Sequence, residues 1–391
     1  MIPLMKNTFL NEYDTKKALS EFILQTNKFS MGEKCKEFEN IFSKKQKRKY
    51  SVLFNSGGSA NLAMLQSLSN IGILKTNDLV GFSALTWSTN VMPIIQMRMV
   101  PIPIDCSKET LNVMSYNLEK ILKVKKLHAV FLTNALGFTG DLPKIKEICE
   151  SKSIMLLEDN CESLGTELPE GKAGNFGLAS SFSFFVAHHM STIEGGMVCT
   201  DNEDLFEMLT IVRANGWDRN LNAEQQFKIR KKYNIKNEFQ AKYTFYDLGY
   251  NLRPTEISGF LGIYQMNFLE KNIKKREANY LLFERIINNN LDLLLLNHDH
   301  LKILSSFALP IVCKNEDLRD KYFHQFAGAG IEIRPMIAGN IQLQPFYKKY
   351  VNEIYDLPET NFLNNCSFYC GNYPELNEDD IETISSCLRK I

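Results

Sequence analysis

Two adjacent histidines, His188 and His189, stand at the end of an apolar and aromatic run, just before the Glu-Gly-Gly of residues 194–196. An imidazole exchanges protons near neutral pH, because its unperturbed pKa is about 6.5, so a histidine in a site can act as a general base. The nearest lysines in the sequence, Lys172 and Lys228, are far from the pair. Proton transfer by a histidine is therefore the first hypothesis, and a core or surface histidine is the alternative.

A second segment, "FNSGGSANLAML", could bind an anion. Gly57, Gly58 and Ser59 stand between a β-rich run and a helical pattern that is predicted to begin near Ala60. Small residues let backbone amides approach an anion, and the start of a helix adds the positive end of its dipole. A phosphate cup and an ordinary tight turn both fit these residues, and the segment lacks the Gly-Lys-Ser/Thr of a Walker motif.

Acidic and aromatic side chains follow two other apolar runs. Glu158 and Asp159 end the run "IMLLED", and Glu162 comes one turn later. A carboxylate at the floor of a site can keep a pyridine nitrogen protonated, whereas the alternative is an aspartate that caps the next helix. Trp87, one of two tryptophans, follows the run "LVGFSAL" and could either stack on a flat cofactor or pack in the core.

These candidates lie where the predicted strands end. From about Lys49, short apolar runs alternate with longer helical patterns, which indicates an α/β fold with a mainly parallel sheet covered on both faces. Ligands bind such sheets at the carboxyl ends of the strands. After about Asn251 the pattern changes, so we predict a large domain over residues 1–250 and a smaller C-terminal α/β domain over residues 251–391.

The composition narrows the class of partner. Forty-five basic and 45 acidic residues give a formal net charge of zero, which favours a small-molecule substrate over nucleic acid or a membrane surface. No apolar run reaches the ~18 residues of a membrane helix. The nine cysteines are dispersed, with no signal peptide before them, which predicts a reducing cytoplasm. The one close pair, Cys366 and Cys370, has no second pair at zinc spacing, so we expect no metal site.

Taken in order along nearly the whole chain, these segments resemble the DegT/DnrJ/EryC1/StrS family of sugar aminotransferases. The order is the small-residue cup, the aromatic residue, the strand-ending aspartate, "SFSF" with its Glu-Gly-Gly, and "GYNLRPTE". The resemblance implies a fold-type I pyridoxal phosphate enzyme that is a homodimer with shared active sites. The cofactor-binding residues that it implies are Gly57, Gly58, Ser59 and Ser183 at the phosphate, Trp87 over the ring, Asp159 at the pyridine nitrogen, Glu162 one turn beyond it, and Asn251 at the neighbouring subunit's phosphate.

The sequence departs from the family five residues after Ser183. The aminotransferases have there a lysine whose primary amine bonds to the cofactor, but this chain has His188, which has no primary amine. Pyridoxal 5'-phosphate, or its pyridoxamine form, is then expected to be bound non-covalently, with His188 as general base. The sugar 3-dehydratases of the family share this replacement. One type of them holds an iron–sulfur cluster with clustered cysteines, and the dispersed cysteines here favour the cluster-independent type.

The resemblance therefore implies a 3-dehydratase of a nucleotide-linked 4-keto-6-deoxy sugar, with GDP favoured by the overall likeness and with the nucleotide and the choice between a hexose and a heptose left open. Such an enzyme uses L-glutamate to form pyridoxamine phosphate and gives a 3-deoxy-4-keto sugar, ammonia and 2-oxoglutarate. The alternatives are a nucleotide-sugar aminotransferase and a non-catalytic relative that binds the cofactor or a sugar nucleotide. Arg219 and Arg253 are candidates for binding a substrate carboxylate or diphosphate, with a surface ion pair as the alternative for each. His189 is expected to be structural or a minor polar contact.

Overall fold

The computed structural model describes residues 1–390 of the chain. Its strands, in chain order, are β1 (Tyr50–Phe54), β2 (Leu79–Ser83), β3 (Val100–Ile104), β4 (Ala129–Thr133), β5 (Met155–Asp159), β6 (Glu167–Leu168), β7 (Gly171–Lys172), β8 (Ala179–Ser183), β9 (Gly196–Thr200), β10 (Ala308–Val312), β11 (Ile333–Pro335) and β12 (Ser367–Gly371).

The helices alternate with these strands over most of the chain. They are α1 (Glu12–Gln25), α2 (Glu33–Gln46), α3 (Gly57–Asn70), α4 (Ser88–Gln96), α5 (Ser115–Leu122), α6 (Leu142–Ser151), α7 (Glu203–Arg213), α8 (Ala223–Lys232), α9 (Glu238–Ala241), α10 (Glu256–Met266), α11 (Leu269–Asn288), α12 (Glu316–Gly328), α13 (Pro345–Tyr350), α14 (Pro358–Cys366) and α15 (Glu378–Leu388).

The central sheet has seven strands in the order β1-β9-β8-β5-β4-β2-β3. Six of them run in the same direction, and β9 is antiparallel to both of its neighbours, β1 and β8. The mainly parallel sheet predicted from the continuous apolar runs is thus confirmed. The reversal of β9 was not visible in the sequence, because a run that is buried on both faces reads the same in either direction.

Helices cover both faces of this sheet. On one face, α3, α4 and α7 bury an apolar cluster that includes Phe54, Met64 and Leu157. On the other face, side chains such as Leu156 belong to a second cluster that continues into the C-terminal part of the chain and includes Leu309. Alternate residues of each strand therefore face different helices, and this alternation decides which polar side chains reach the site.

A smaller antiparallel sheet, β10-β12-β11, lies in the C-terminal part of the chain. Helix α10 packs on α1, with the rings of Phe22 and Phe260 stacked at 4.5 Å between centroids, and Ile2 forms a β-bridge with Ile331. The domain division at residue 250 stays a prediction, since both contacts join residues from either side of it. None of the helices among residues 1–390 combines the length and the apolar character needed to cross a bilayer.

Candidate active site

The predicted phosphate cup lies at the start of α3, which begins at Gly57 and not near Ala60 as the sequence suggested. Ser56 is the N-cap, and its hydroxyl accepts a hydrogen bond from the Ser59 backbone N–H at 3.0 Å. With the cap at Ser56, Gly57 and Gly58 lie in the first helical turn. Their backbone N–H groups belong to the orphan donors of a helix start and are therefore available to an anion.

Gly57 lies directly against Ser183 at the end of β8. A Cβ built on Gly57 would lie 2.7 Å from Ser183 Cβ and 3.2 Å from Cys161 Sγ. Phe54 and Ser183 are both opposite Gly196 of the reversed strand β9, where a side chain would overlap the Ser56 backbone. The glycines thus create the space in which the cup and the Ser183 hydroxyl converge.

Asp159 is the last residue of β5 and is 4% exposed, and hydrogen bonds fix the orientation of its carboxylate. The amides of Asn61 in α3 and Asn90 in α4 donate to Oδ2 at 2.8 Å and 2.7 Å, and the Cys161 N–H donates to Oδ1 at 2.8 Å. The two asparagines were missed by sequence reasoning, because neither is near residue 159 in the chain.

The other carboxylates of "EDNCES" have separate surroundings. Glu158 faces the opposite side of the sheet and accepts the backbone N–H groups of Gly174, Phe176 and Gly177, so its role is structural. Glu162 accepts the Leu136 N–H at 3.0 Å. Burial, with a smaller contribution from the negative charge of Asp159, raises the pKa of Glu162 to about 7. Glu162 is thus a site carboxyl that changes charge near neutral pH.

His188 lies on the loop after β8. It is half-buried beside the turn that follows Asp159. Its Nδ1 is 2.6 Å from the Cys161 carbonyl oxygen, which can only accept, so Nδ1 carries the proton and Nε2 keeps a free lone pair in the neutral ring. The ring packs on Phe307, with centroids 5.1 Å apart. Burial, helped by Arg276, lowers the pKa of His188 below its ordinary value. The imidazole is therefore neutral and basic at pH 7.

His189 faces the opposite direction from His188. It is 1% exposed, its Nε2 donates to the Ser305 carbonyl at 2.9 Å, and its own carbonyl accepts from Asn272. Burial lowers the pKa of His189 well below the ordinary value. The contacts of His189 anchor the loop that carries His188 to the segment before β10, which is consistent with the structural role expected for it.

Trp87 is the N-cap residue of α4, with 56% of its surface exposed. Thr89, two residues on, lies against the cup: a Cβ on Gly58 would be 3.0 Å from its Cγ2. The indole is therefore not packed in the core, which was the alternative to stacking.

Arg219, Asn251 and Arg253 lie together, but not with the groups above. They line one cleft of about 730 Å³, where Asn251 Oδ1 accepts a hydrogen bond from Arg253 Nε at 3.0 Å. Asn251 is exposed and forms a β-bridge with Ala214. Within residues 1–390 no group of three or more His, Cys, Asp and Glu side chains could hold a metal ion.

An α/β sheet that carries an anion cup, a buried carboxylate and a base at its carboxyl edge is the architecture of an aminotransferase-like protein. The chain belongs to the DegT/DnrJ/EryC1/StrS aminotransferase family, whose model matches residues 11–389. It is 32% identical to GDP-4-keto-6-deoxy-D-mannose 3-dehydratase of Yersinia pseudotuberculosis over 374 residues, which is 94% of each chain.

Solved structures agree with the fold. A GDP-4-keto-6-deoxymannose-3-dehydratase with a trapped PLP-glutamate geminal diamine matches with a TM-score of 0.91 at 30% identity, over 100% of both chains. A variant of that enzyme with bound GDP-perosamine matches with a TM-score of 0.89, also at 30% identity and over 100% of both chains. The predicted family and the aminotransferase-like α/β fold are thus confirmed.

Proposed function

We propose that the chain is a pyridoxal phosphate-dependent 3-dehydratase of a GDP-linked 4-keto-6-deoxy sugar. L-glutamate supplies the amine that forms pyridoxamine phosphate, and the products are a 3-deoxy-4-keto sugar, ammonia and 2-oxoglutarate. The observation that carries this proposal is His188: an imidazole with a free Nε2 stands beside a retained cofactor site, where the aminotransferases of the family have a lysine.

The residues present fit a phosphorylated pyridine. The free amides of the first α3 turn, with the hydroxyls of Ser59 and Ser183, form a cradle that a single Cβ on Gly57 would fill. Asp159 supplies a buried carboxylate for a protonated ring nitrogen, and the exposed Trp87 offers a ring face. When bound, the cofactor supplies an electron-accepting conjugated ring and an exchangeable amine. A solved relative supports this choice of cofactor, because the 30%-identical structure contains a PLP-glutamate adduct.

The chain's own contribution is to hold the ring and to move protons. Asp159 keeps the pyridine nitrogen protonated, since its carboxylate is fixed by three donors and cannot turn away. His188 Nε2 takes the proton from the α-carbon of glutamate in the first half-reaction. It would deliver that proton to the exocyclic carbon of the bound cofactor, and in the second half-reaction it would take a proton back from that carbon, which would drive loss of the hydroxyl at carbon 3 of the sugar. Because His188 forms no covalent bond to the cofactor, non-covalent contacts with the cup, Asp159, Trp87 and the second copy's Asn251 would hold it.

We also infer a homodimer with shared sites. Asn251, Arg219 and Arg253 line a cleft of their own, and among the described residues no hydrogen bond joins their side chains to Ser59 or Ser183. Asn251 then serves the cofactor of a second copy. Mixing an inactive His188→Asn protein with an inactive Asn251→Ala protein should restore activity after subunit exchange, since each mixed dimer has one intact site. A self-contained site in each chain predicts no recovery.

A cytoplasmic location is part of the proposal. All nine cysteines are free thiols, and eight of them are buried. A chain with this pattern suits a reducing compartment, because no disulfide contributes to its stability.

The decisive experiment incubates the protein with GDP-4-keto-6-deoxymannose and L-glutamate. Dehydration releases free ammonia and a product that lacks one oxygen, whereas an aminotransferase gives a product with one more amine and no ammonia. His188→Lys should abolish the 3-deoxy product. His324→Lys, on the exposed face of α12, is the matched control and should keep it. Undiminished 3-deoxy product from His188→Lys would refute the proposal.

A further inference from the structure

Arg276, on α11, is a buried cation with no acidic partner. It is 1% exposed, and within residues 1–390 each of its side-chain hydrogen bonds goes to a neutral oxygen. Burial lowers the pKa of Arg276 to about 10, so the guanidinium is still charged at neutral pH. A buried charge without a counter-ion destabilises a fold, and its presence here indicates a role other than packing.

The hydrogen bonds of Arg276 join separate segments around the two histidines. Nη1 donates to the Phe307 carbonyl at 2.7 Å, in the segment before β10, and to the Asn372 carbonyl just after β12. Nε donates to Asn272 Oδ1 at 2.9 Å, and the amide of Asn272 donates in turn to the His189 carbonyl. A planar guanidinium presents its donors in a fixed geometry, so it holds such acceptors in a defined arrangement. Arg276 thus links the loop after β8 to the segment before β10.

These two segments locate the His188 ring. The hydrogen bond from Nδ1 to the Cys161 carbonyl fixes one edge of the ring, and Phe307 supports one face, with centroids 5.1 Å apart. The Cys161 thiol stays neutral, because burial raises its pKa well above the ordinary value. His189, whose carbonyl Asn272 holds, is the next residue in the chain, and its ring centroid is 6.0 Å from that of Phe307. A movement of either segment would therefore change the direction of His188 Nε2.

The charge of Arg276 also acts on His188. A cavity of about 10 Å³ lies beside both side chains and is also lined by His189 and Glu375. His189 is neutral, since burial lowers its pKa well below the ordinary value, and Glu375 forms no ion pair with Arg276 within residues 1–390. Burial is the main cause of the lowered pKa of His188; the charge of Asp159 opposes this effect, and the charge of Arg276 adds to it.

We propose that Arg276 is a positioning residue for His188: by joining the loop after β8 to the segment before β10, its guanidinium fixes the direction of His188 Nε2. This role rests on the proposed function, in which Nε2 is the base. The positive charge adds a second effect, because it opposes protonation of a ring that must be neutral to accept a proton. An arginine that only stabilises the fold is the alternative.

Three variants separate the two effects. Arg276→Lys keeps the charge but loses the forked donors, Arg276→Gln loses both, and Asn272→Ala removes the link to the His189 carbonyl and keeps the charge. Each should lower kcat for glutamate-dependent ammonia release about 10- to 100-fold with little change in KM, since a displaced base acts in the chemical step. The acid limb of kcat/KM should move to higher pH in Arg276→Gln alone, because loss of a nearby positive charge favours the imidazolium.

Arg48→Gln is the matched control. Arg48 is another buried arginine, with its side chain 6% exposed, and its Nη2 donates to the carbonyls of Gly177 and Leu178, just before β8. This control should lower Tm without changing kcat or the acid limb. Equilibrium dialysis should show parent affinity for pyridoxamine phosphate in every variant, because none of them alters the cup. An equal loss of kcat in Arg48→Gln, or parent kcat in all three test variants, would overturn the positioning role.

NMR of histidine-labelled protein tests the ring without turnover. The His188 signals, assigned by their loss in His188→Asn, should show a protonated Nδ1 and a titration midpoint below pH 6.5 in the parent protein. Arg276→Gln should raise that midpoint, and Arg276→Lys and Asn272→Ala should weaken the preference for one tautomer. Unchanged His188 signals in all three variants would overturn the positioning role and leave the proposed function standing. If the signals change as expected but the parent protein dehydrates no 4-keto sugar, the positioning role stands and the proposed reaction fails.

Discussion

Gly57→Ala perturbs the cofactor cup at its tightest point. The added methyl carbon would lie 2.7 Å from Ser183 Cβ and 3.0 Å from Ser183 Oγ, whereas ordinary contacts begin near 3.4 Å. Ser183 cannot move away easily, because it is buried at the end of β8 and paired with Gly196 on β9. The first turn of α3 must therefore shift by several tenths of an ångström, and its free amides shift with it.

The size of the effect follows from those amides. Overpacking of a buried site costs about 1–3 kcal/mol, partly offset by the better helix propensity of alanine. Displacement of one amide from a charged phosphate removes a further ~1.5–3 kcal/mol of binding free energy. The dissociation constant for the cofactor should thus rise about 10- to 150-fold. No covalent bond from His188 compensates for this loss.

Equilibrium dialysis against pyridoxamine phosphate measures the effect, and thermal unfolding of the cofactor-free protein separates it from a folding defect. Gly58→Ala should have a smaller effect, because its methyl meets the Thr89 side chain at 3.0 Å and that side chain can rotate. Gly328→Ala is the control, since a Cβ at the end of α12 meets no atom within 4 Å. Wild-type affinity in Gly57→Ala would refute the assignment of the cup.

Three further predictions concern charges. Because the pKa of Glu162 is raised to about 7, the folded state binds a proton at Glu162 that the unfolded chain has already lost, and stability falls as the pH rises from about 5 through 7. Glu162→Gln should flatten this decline in Tm with pH. An unchanged pH dependence of Tm would contradict the argument from burial. The acid limb of kcat/KM should lie below pH 6.5, because the pKa of His188 is lowered, and it should persist in Glu162→Gln. Glu256→Gln should cost about 1–3 kcal/mol in urea unfolding, since Glu256 accepts three backbone N–H groups at the start of α2, whereas the exposed Glu224→Gln should cost almost nothing.

Local patterns identified the elements of the large sheet and the polar groups at its edge. Most of its strands are mainly apolar, and Asp159 ends β5 as the run "IMLLED" predicted, whereas β8 contains three serines and ends at Ser183. The start of α3 was placed three residues late because the capping signal of Ser56 was not used. The Ser-x-x-Ser pattern of residues 56–59 could have corrected it, since both hydroxyls and the Ser59 amide take part in the cap.

Contacts between distant segments could not be predicted in this way. Asn61 and Asn90 reach Asp159 only because α3 and α4 cover the same face of the sheet, which depends on strand order and not on spacing in the chain. The separation of the two arginine candidates from the cup has the same origin, because it follows from how residues 214–253 fold back beside α2. Periodicity assigns a side chain to a face, but the neighbours on that face are set by topology.

The replacement of the family's lysine by His188 changes what the surrounding structure must do. A lysine is located at the cofactor by its own covalent bond, whereas an imidazole acts only if its tautomer and its direction are fixed from outside. Here the Cys161 carbonyl, two residues after Asp159, fixes the proton on Nδ1, and Phe307 supports the ring. His189 holds the loop through Ser305, two residues before Phe307. Orientation of the base therefore depends on the contact between the loop after β8 and the segment before β10, and a retained cofactor cup without that contact would not be sufficient for dehydration.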